Sequence, residues 1–252
     1  MKTEIEINQI TINECKDFIL KKHYAKRKPR IQYVYGIFIN NILEGIVTYG
    51  YPATPFVSRG ICGKEYEKEV LELNRLVVNE NVPKNTTSYL VAKSLKLLPE
   101  KYKIIISYAD TDFGHIGYIY QATNWIYVGL TIDMKEWRKK DSNLHSQNVC
   151  KGTDLEKRKK DKNYVQIYRP KKHRYLYFRG TKKEKKERLS KLKYEIEKYP
   201  KGKTNRFYYD LKEIKQSNLC VVGIKRDAPC FQQGGVGAIP TQRTCDYLGE
   251  KK

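Results

Sequence analysis

The chain has 252 residues, 40% of them apolar, and a mean hydropathy of −0.71, which is enough for one substantial core under a wet surface and does not require a second domain. Fifty Lys and Arg against 28 Asp and Glu leave a net charge of +22, and the natural partner of such an excess is a polyanion whose neutralised phosphates release counterions. An anionic membrane would also attract this charge, but no run of 18 apolar residues can span a bilayer and the opening MKTEIEINQI lacks the apolar core of a signal peptide, so a cytoplasmic setting without a membrane partner is expected.

In chain order, residues 11–24 place Ile12, Cys15, Ile19 and Leu20 on one face of a short helix. Residues 33–39 and 42–49 read as strands joined by the tight-turn pair Asn40-Asn41, and Pro52 and Pro55 end that hairpin and start a loop. A strand over 70–78 is followed by a turn over 79–84 and a helix over 86–98. The nearly all-apolar run 103–108 has the composition of a central strand. A helix near 116–123 and a strand over 125–130 follow. Strands alternating with short helices predict an α/β fold, a mixed sheet covered by helices.

Past Trp137 the character changes. Residues 138–162 form a polar, basic insertion, 164–168 and 173–179 read as a last strand pair, and 182–198 as a charged helix with Leu189, Leu192 and Ile196 in a stripe. Residues 151–206 hold 22 Lys and Arg against 7 Asp and Glu, so the charge is clustered. We divide the chain into a catalytic domain over 1–180, a basic helix and extension over 181–218, and an accessory or disordered tail over 219–252. The six cysteines show no CxxC pair, so reduced thiols are expected and a zinc finger is not. Cys62 is a weak nucleophile candidate with no partner nearby in sequence.

The densest polar cluster is SYADTDFGHIGYIYQATN, residues 107–124. Asp110 and Asp112 lie just past the carboxyl end of the central strand, the edge at which open α/β sheets place ligands. Gly114 and Gly117 leave room around His115, and Tyr118 and Gln121 share a helix face. The competing account is a polar helix cap built from Asp112. His23-Tyr24 is the second cluster: His23 is either a cation at a helix C-terminus or, folded over the carboxylate edge, a partner of Asp110 for a hard divalent metal. His145 and His173 stand in the basic half, where phosphate contact or plain sheet surface fits better than catalysis.

The order of elements, with ELNRLVV at 72–78, IIISYAD at 104–110 and YQATNWIYVG at 120–129, resembles the GNAT acyltransferase fold. That resemblance implies a mixed, mostly antiparallel sheet with flanking helices and, here, a basic C-terminal extension. It also implies a fourth strand splaying from the fifth, and an acetyl-CoA or related donor whose pyrophosphate meets the next helix terminus. The usual glycine-rich loop is replaced by NVPKNTTSY, leaving Lys84, Asn85, Thr86, Thr87 and Ser88 as donors. More closely, the sequence resembles the phage Mom family of DNA modification proteins. The shared features are the early HY, the EL-x-RL strand at Glu72–Leu76, SYAD, GHIGYIYQATNWIYVG, and the late KHRYLYF and KYPKG, over roughly residues 20–202.

What the Mom resemblance implies is specific. The activity is conversion of adenine in double-stranded DNA to N6-methylcarbamoyladenine, in which N6 carries a carbamoylmethyl group through its methylene, and which protects phage DNA from restriction, by a phage or prophage protein acting in a bacterial host. Active-site residues would be His23, Tyr24, Asp110 and Tyr120, with iron held by His23 and Asp110. Adenine N6 is a poor nucleophile and is stacked in the duplex, so the base must be extruded. Tyr118, Asn124 and Trp125 are expected to form the base pocket. Arg169, Lys171, Lys172, Arg174 and Arg179 are expected on phosphates. Asp110 serves either as metal ligand or as base. The alternatives are a GNAT acetyltransferase acting on a protein or small amine and a non-catalytic DNA-binding protein. A small-molecule group donor is required; its identity, the oligomeric state and the purpose of the tail are not legible.

Overall fold

The computed structural model describes residues 4–140, 149 and 153–202. Seven strands form one sheet in the order β1 (Ile5–Gln9), β2 (Tyr33–Ile39), β3 (Ile42–Gly50), β4 (Val70–Val78), β5 (Ile104–Asp110), β9 (Lys172–Phe178) and β6 (Ile126–Leu130). A separate antiparallel ribbon joins β7 (Met134–Lys139) to β8 (Tyr164–Arg169). Helices are α1 (Ile12–Asp17), α2 (Pro55–Cys62), α3 (Thr86–Leu97), α4 (Tyr118–Ala122), α5 (Leu155–Lys160) and α6 (Lys182–Ser190). The expected α/β class and mostly antiparallel sheet are both present. None of the described helices is long and apolar enough to cross a membrane.

The sheet is covered on both sides, which explains why β5 is apolar at successive positions. Ile105 and Ala109 enter a core with Leu90, Val91 and Leu95 of α3, while Ile104 and Ile106 enter a second core with Ile61 and Cys62 of α2. Cys15 of α1, with Phe18 and Ile19, packs against Val34, Ile46 and Val77, on the opposite side of their strands from Tyr35, Val47 and Val78. The first core is rich in tyrosine: Tyr35, Tyr49, Tyr102, Tyr120, Tyr127 and Tyr175 are all buried. Several spend their hydroxyls internally, Tyr49 with Ser94 Oγ at 2.7 Å and Tyr35 on the Leu97 carbonyl at 3.1 Å.

One junction positions everything that follows. β4 and β5 run parallel, and their pairing covers Val70↔Ile104 through Leu73↔Ser107. Beyond that point both strands continue without pairing to each other, so the sheet parts as the resemblance implied. β4 also carries a bulge there: Thr48 pairs with Arg75 and Tyr49 with Leu73, which leaves Asn74 over. Asn74 Nδ2 donates to the Arg30 carbonyl at 2.8 Å and Arg75 Nη2 to the Arg27 carbonyl at 3.1 Å, so the bulge pins the segment after His23-Tyr24. Gly50 permits this approach, because a Cβ there would lie 1.8 Å from the Arg30 carbonyl oxygen.

Several expected elements differ. The stretch after Pro52 is not a loop: Pro55 opens α2, where its fixed φ and missing N–H suit a first helical turn. β1 was not foreseen; only Ile7 of its residues faces the core, so it carries almost no alternation. Strands 164–169 and 172–178 do not pair with each other. β9 inserts between β5 and β6, and β8 pairs with β7, which starts before the presumed insertion. The helix expected over 182–198 stops at Ser190, after which Lys193 N–H bonds the Ile61 carbonyl and Glu197 N–H the Tyr127 carbonyl. The 219–252 tail, residues 203–218 and His145 lie outside the described residues.

Candidate functional site

His23 ends a helix that widens. After α1 the backbone takes a π-turn over Phe18–Lys22, and His23 N–H bonds the Phe18 carbonyl at 2.9 Å. The buried imidazole accepts the Ala25 N–H at Nδ1, 3.0 Å away, so the ring proton sits on Nε2. Burial, with Arg75, His115, Lys172 and Arg27 around it, pushes its pKa down to about 3. His23 is therefore a neutral N–H donor, not the helix-terminal cation. Beside it Tyr24 lies 4.2 Å ring to ring, and 4.3 Å on from Tyr24 is Phe113, with His115 at 5.5 Å edge-on. Burial and the nearby Asp110 hold the Tyr24 phenol well above its usual range, so it stays protonated.

Asp110 closes β5 and is 7% exposed. Its Oδ1 accepts the Asp112 N–H at 3.2 Å and its Oδ2 meets Lys172 Nζ at 2.7 Å, in register across the β5–β9 ladder. The turn Thr111–Phe113 curls over it, with His115 N–H on the Asp110 carbonyl. At the base of the split, Ser107 Oγ bonds the Leu73 carbonyl at 2.8 Å and lies 2.7 Å from Tyr120 OH. A carbonyl only accepts, so Ser107 gives it the hydroxyl proton and Tyr120 donates to Ser107. Burial lifts the Tyr120 phenol to about 12. Gly117, at φ +80°, starts α4 where a Cβ would lie 2.3 Å from the Tyr175 ring.

Two residues of the EL-x-RL motif had no assigned role and belong here. Glu72, half-buried at the split, has its carboxyl raised to about 7 by burial, against the pull of Arg75, Lys172 and Arg27. Arg75, half-buried, binds backbone carbonyls. Phe113, from the turn after β5, makes an aromatic wall with Tyr24. The signal for these residues was the motif itself; only strand pairing shows which of its side chains face the split.

The structure redirects other expectations. Trp125 is not a pocket wall: it is fully buried, tilted against Tyr120 at 5.0 Å, with Tyr199 OH on its carbonyl. Asn124 is exposed at φ +59° and ends α4, a backbone duty that asparagine suits. Tyr118 is 38% exposed. Arg179 is no phosphate ligand; its guanidinium binds the Leu98, Pro99 and Tyr102 carbonyls beyond α3. Arg174 lies over the Tyr194 ring at 4.2 Å, and Lys172 is committed to Asp110. Arg169 is exposed, and Lys171 reaches Asp133 at 3.0 Å. His173 Nδ1 and Tyr127 OH are 2.9 Å apart. Cys62 is a buried thiol pushed up to about 12, which ends its candidacy as nucleophile.

Of the donor segment, Lys84 and Asn85 are exposed, with Asn85 left-handed at φ +69°. Thr86 Oγ1 and Ser88 Oγ spend themselves on the Pro83 and Asn85 carbonyls, at 2.7 and 2.9 Å. No side chain caps α3, and its Thr86 N–H goes to the Pro83 carbonyl, so the amides that follow, beginning with that of Thr87, are the donors left.

Iron does not fit these residues. No group of three or more His, Cys, Asp or Glu is gathered for a metal among the described residues. An ammonium stands on Asp110 where a cation would bind, and the Nδ1 lone pair of His23 is already used.

A model of the Mom protein family matches residues 4–201. Over 208 residues the chain is 25% identical to the methylcarbamoylase Mom of Escherichia phage Mu, spanning 79% of this chain and 84% of that protein. Among solved structures, a GNAT family acetyltransferase from Elizabethkingia anophelis with acetyl-CoA bound is 12% identical, covering 69% of this chain and 98% of its own, with a TM-score of 0.42. The polyamine N-acetyltransferase of Drosophila melanogaster is 10% identical, covering 70% and 100%, also at 0.42.

Proposed function

The chain belongs to the Mom protein family, and on that premise we propose that it is a methylcarbamoylase of DNA, converting adenine to N6-methylcarbamoyladenine and so shielding phage DNA from restriction. One observation carries the proposal. His23, Tyr24, Asp110 and Tyr120, drawn from three segments spread over nearly a hundred residues, gather where β4 and β5 part.

The roles follow from the protons. The lone pair of adenine N6 is delocalised, so the amine needs a proton acceptor beside it as the new N–C bond forms. His23 cannot take that proton, because Nε2 already bears one and its only free lone pair is spent on Ala25. Tyr24 stays protonated. The Asp110 carboxylate, held by Lys172 at the end of β5, orients N6 and receives the proton. His23 Nε2–H then serves as a hydrogen-bond donor, Tyr120 holds Ser107 at the base of the split, and Tyr24 with Phe113 gives the extruded base an aromatic face. A small-molecule donor of the carbamoylmethyl group enters the split, and its leaving group departs as N6 attacks the methylene. Exposed cations outside the split, Arg169 and the lysines of the ribbon, take the phosphates.

The test is to express the chain in cells, digest their DNA and weigh the nucleosides. Adenine carrying a carbamoylmethyl group with the full-length chain, and none with Asp110→Ala, is the expected result. Unmodified DNA in both, or acetylated amines without DNA change, ends the proposal.

A further inference from the structure

The two-stranded ribbon continues directly from the site. β6 runs into β7 through Thr131–Asp133, and β8 runs into β9 through Pro170-Lys171, so the ribbon prolongs the β6–β9 pair past the sheet edge. Its root is fastened there. Thr131 N–H bonds the Lys172 carbonyl at 2.9 Å, Lys172 N–H bonds Thr131 Oγ1 at 3.0 Å, and Thr111 N–H reaches the Lys171 carbonyl at 3.4 Å. Lys172 is the residue paired with Asp110. Tyr168 is only four residues earlier, which places its Cα within about 14 Å of that of Lys172 even at full extension.

The faces of the ribbon differ. The register pairs Lys135 with Tyr168, Trp137 with Gln166 and Lys139 with Tyr164, all on one face. Arg158 of α5 covers the middle of that face, over Trp137 at 5.9 Å, and leaves the root end open. There Tyr168 is 70% exposed, with Lys135 Nζ 5.0 Å from its ring centre. Residues 134–140 and 153–171 hold eleven Lys and Arg against four Asp and Glu. A solvent-facing ring beside lysines on a two-stranded ribbon suits a duplex groove, which admits such a ribbon, and the step opened by an extruded base exposes a base face on which that ring can stack.

We infer that this ribbon is the docking arm for double-stranded DNA, lying on the duplex beside the target adenine, with Tyr168 stacking on a base next to the extruded one. The inference rests on the DNA-modifying function proposed above and names the element that delivers the substrate. Lys135 and Lys139 flank the backbone, and Tyr168 fills the space the adenine leaves.

Two measurements on the full chain test it. Fluorescence anisotropy with a labelled duplex, over a range of salt, is expected to show that Lys135→Ala/Lys139→Ala shallows the log K against log salt slope by about 2, at roughly 0.9 per phosphate contact. Nucleoside mass spectrometry of DNA from expressing cells is expected to show at least a ten-fold loss of modified adenine for Tyr168→Ala and near-normal levels for Tyr168→Phe, which keeps the ring. Circular dichroism melting, unchanged in these exposed variants, separates docking from folding. An unchanged slope, tighter binding to the single strand than to the duplex, or full modification by Tyr168→Ala overturns the arm. If the unsubstituted chain modifies nothing, the proposed function falls instead, and the anisotropy series still decides the arm.

Discussion

The seven-stranded body and the β7–β8 arm are both rich in Lys, Arg and Tyr, but they spend them differently. In the body the buried and half-buried cations are consumed: Arg179 on three carbonyls, Arg188 on Glu69 at 2.6 and 2.9 Å, Arg75 on two carbonyls, Lys172 on Asp110. The tyrosines of its first core are buried among one another. In the arm, Lys135, Lys139, Arg169 and Tyr168 face solvent. Net charge is therefore a poor guide to a polyanion surface. What matters is which cations remain after the fold has taken its share, and the arm holds many of them.

Substitutions can break that contrast. The largest effect is expected for Asp110→Ala: a loss of modified adenine of about a hundred-fold or more, with duplex affinity altered less than about threefold, read by nucleoside mass spectrometry and anisotropy. Equal losses of both would move Asp110 from chemistry to binding. Next is Arg179→Ala, which strands three carbonyls near the end of α3. It is expected to cost about 3 kcal/mol and lower the melting temperature by roughly 6–12 °C, while the salt slope of DNA binding stays unchanged. A shallower slope would return Arg179 to the phosphates.

Glu72 supplies a pH test. Its folded carboxyl is raised to about 7 from an ordinary 4.5, so the folded chain holds this proton more tightly than the unfolded one. The resulting stabilisation is complete below about pH 4.5 and is lost as pH rises through 7. Glu72→Gln is therefore expected to gain about 1–3 kcal/mol relative to the unsubstituted chain between pH 5 and 8, measured from urea midpoints. A constant difference across that range would mean that Glu72 is solvated. The smallest effect belongs to Tyr118→Ala at an exposed position: under about 0.5 kcal/mol in the same titration.

Local chemistry made much of the body legible. The two-sided burial of β5 shows as an apolar run, Asn40-Asn41 marks the β2–β3 turn, and the spacing in 86–98 gives α3. Strand order was not legible, because nothing near residues 172–178 signals that they lie between β5 and β6. Motif residues led to the neighbourhood of the site, where His23, Tyr24, Asp110 and Tyr120 do meet. The roles of Lys172, Arg179 and Trp125 depend on partners 62 to 81 residues away or on total enclosure, which local pattern does not encode. The bulge at Asn74 was equally hidden, since a single extra residue leaves no trace in alternation.

The late position of β9 has a consequence for synthesis. Until residues 172–178 leave the ribosome, β5 and β6 each lack a neighbour, and the hydrogen-bonding rim of β5 is open to other chains. The carboxylate of Asp110 likewise waits for its lysine. The sheet thus waits for a segment translated about sixty residues after β5, and the nascent chain stays prone to self-association along that rim until then.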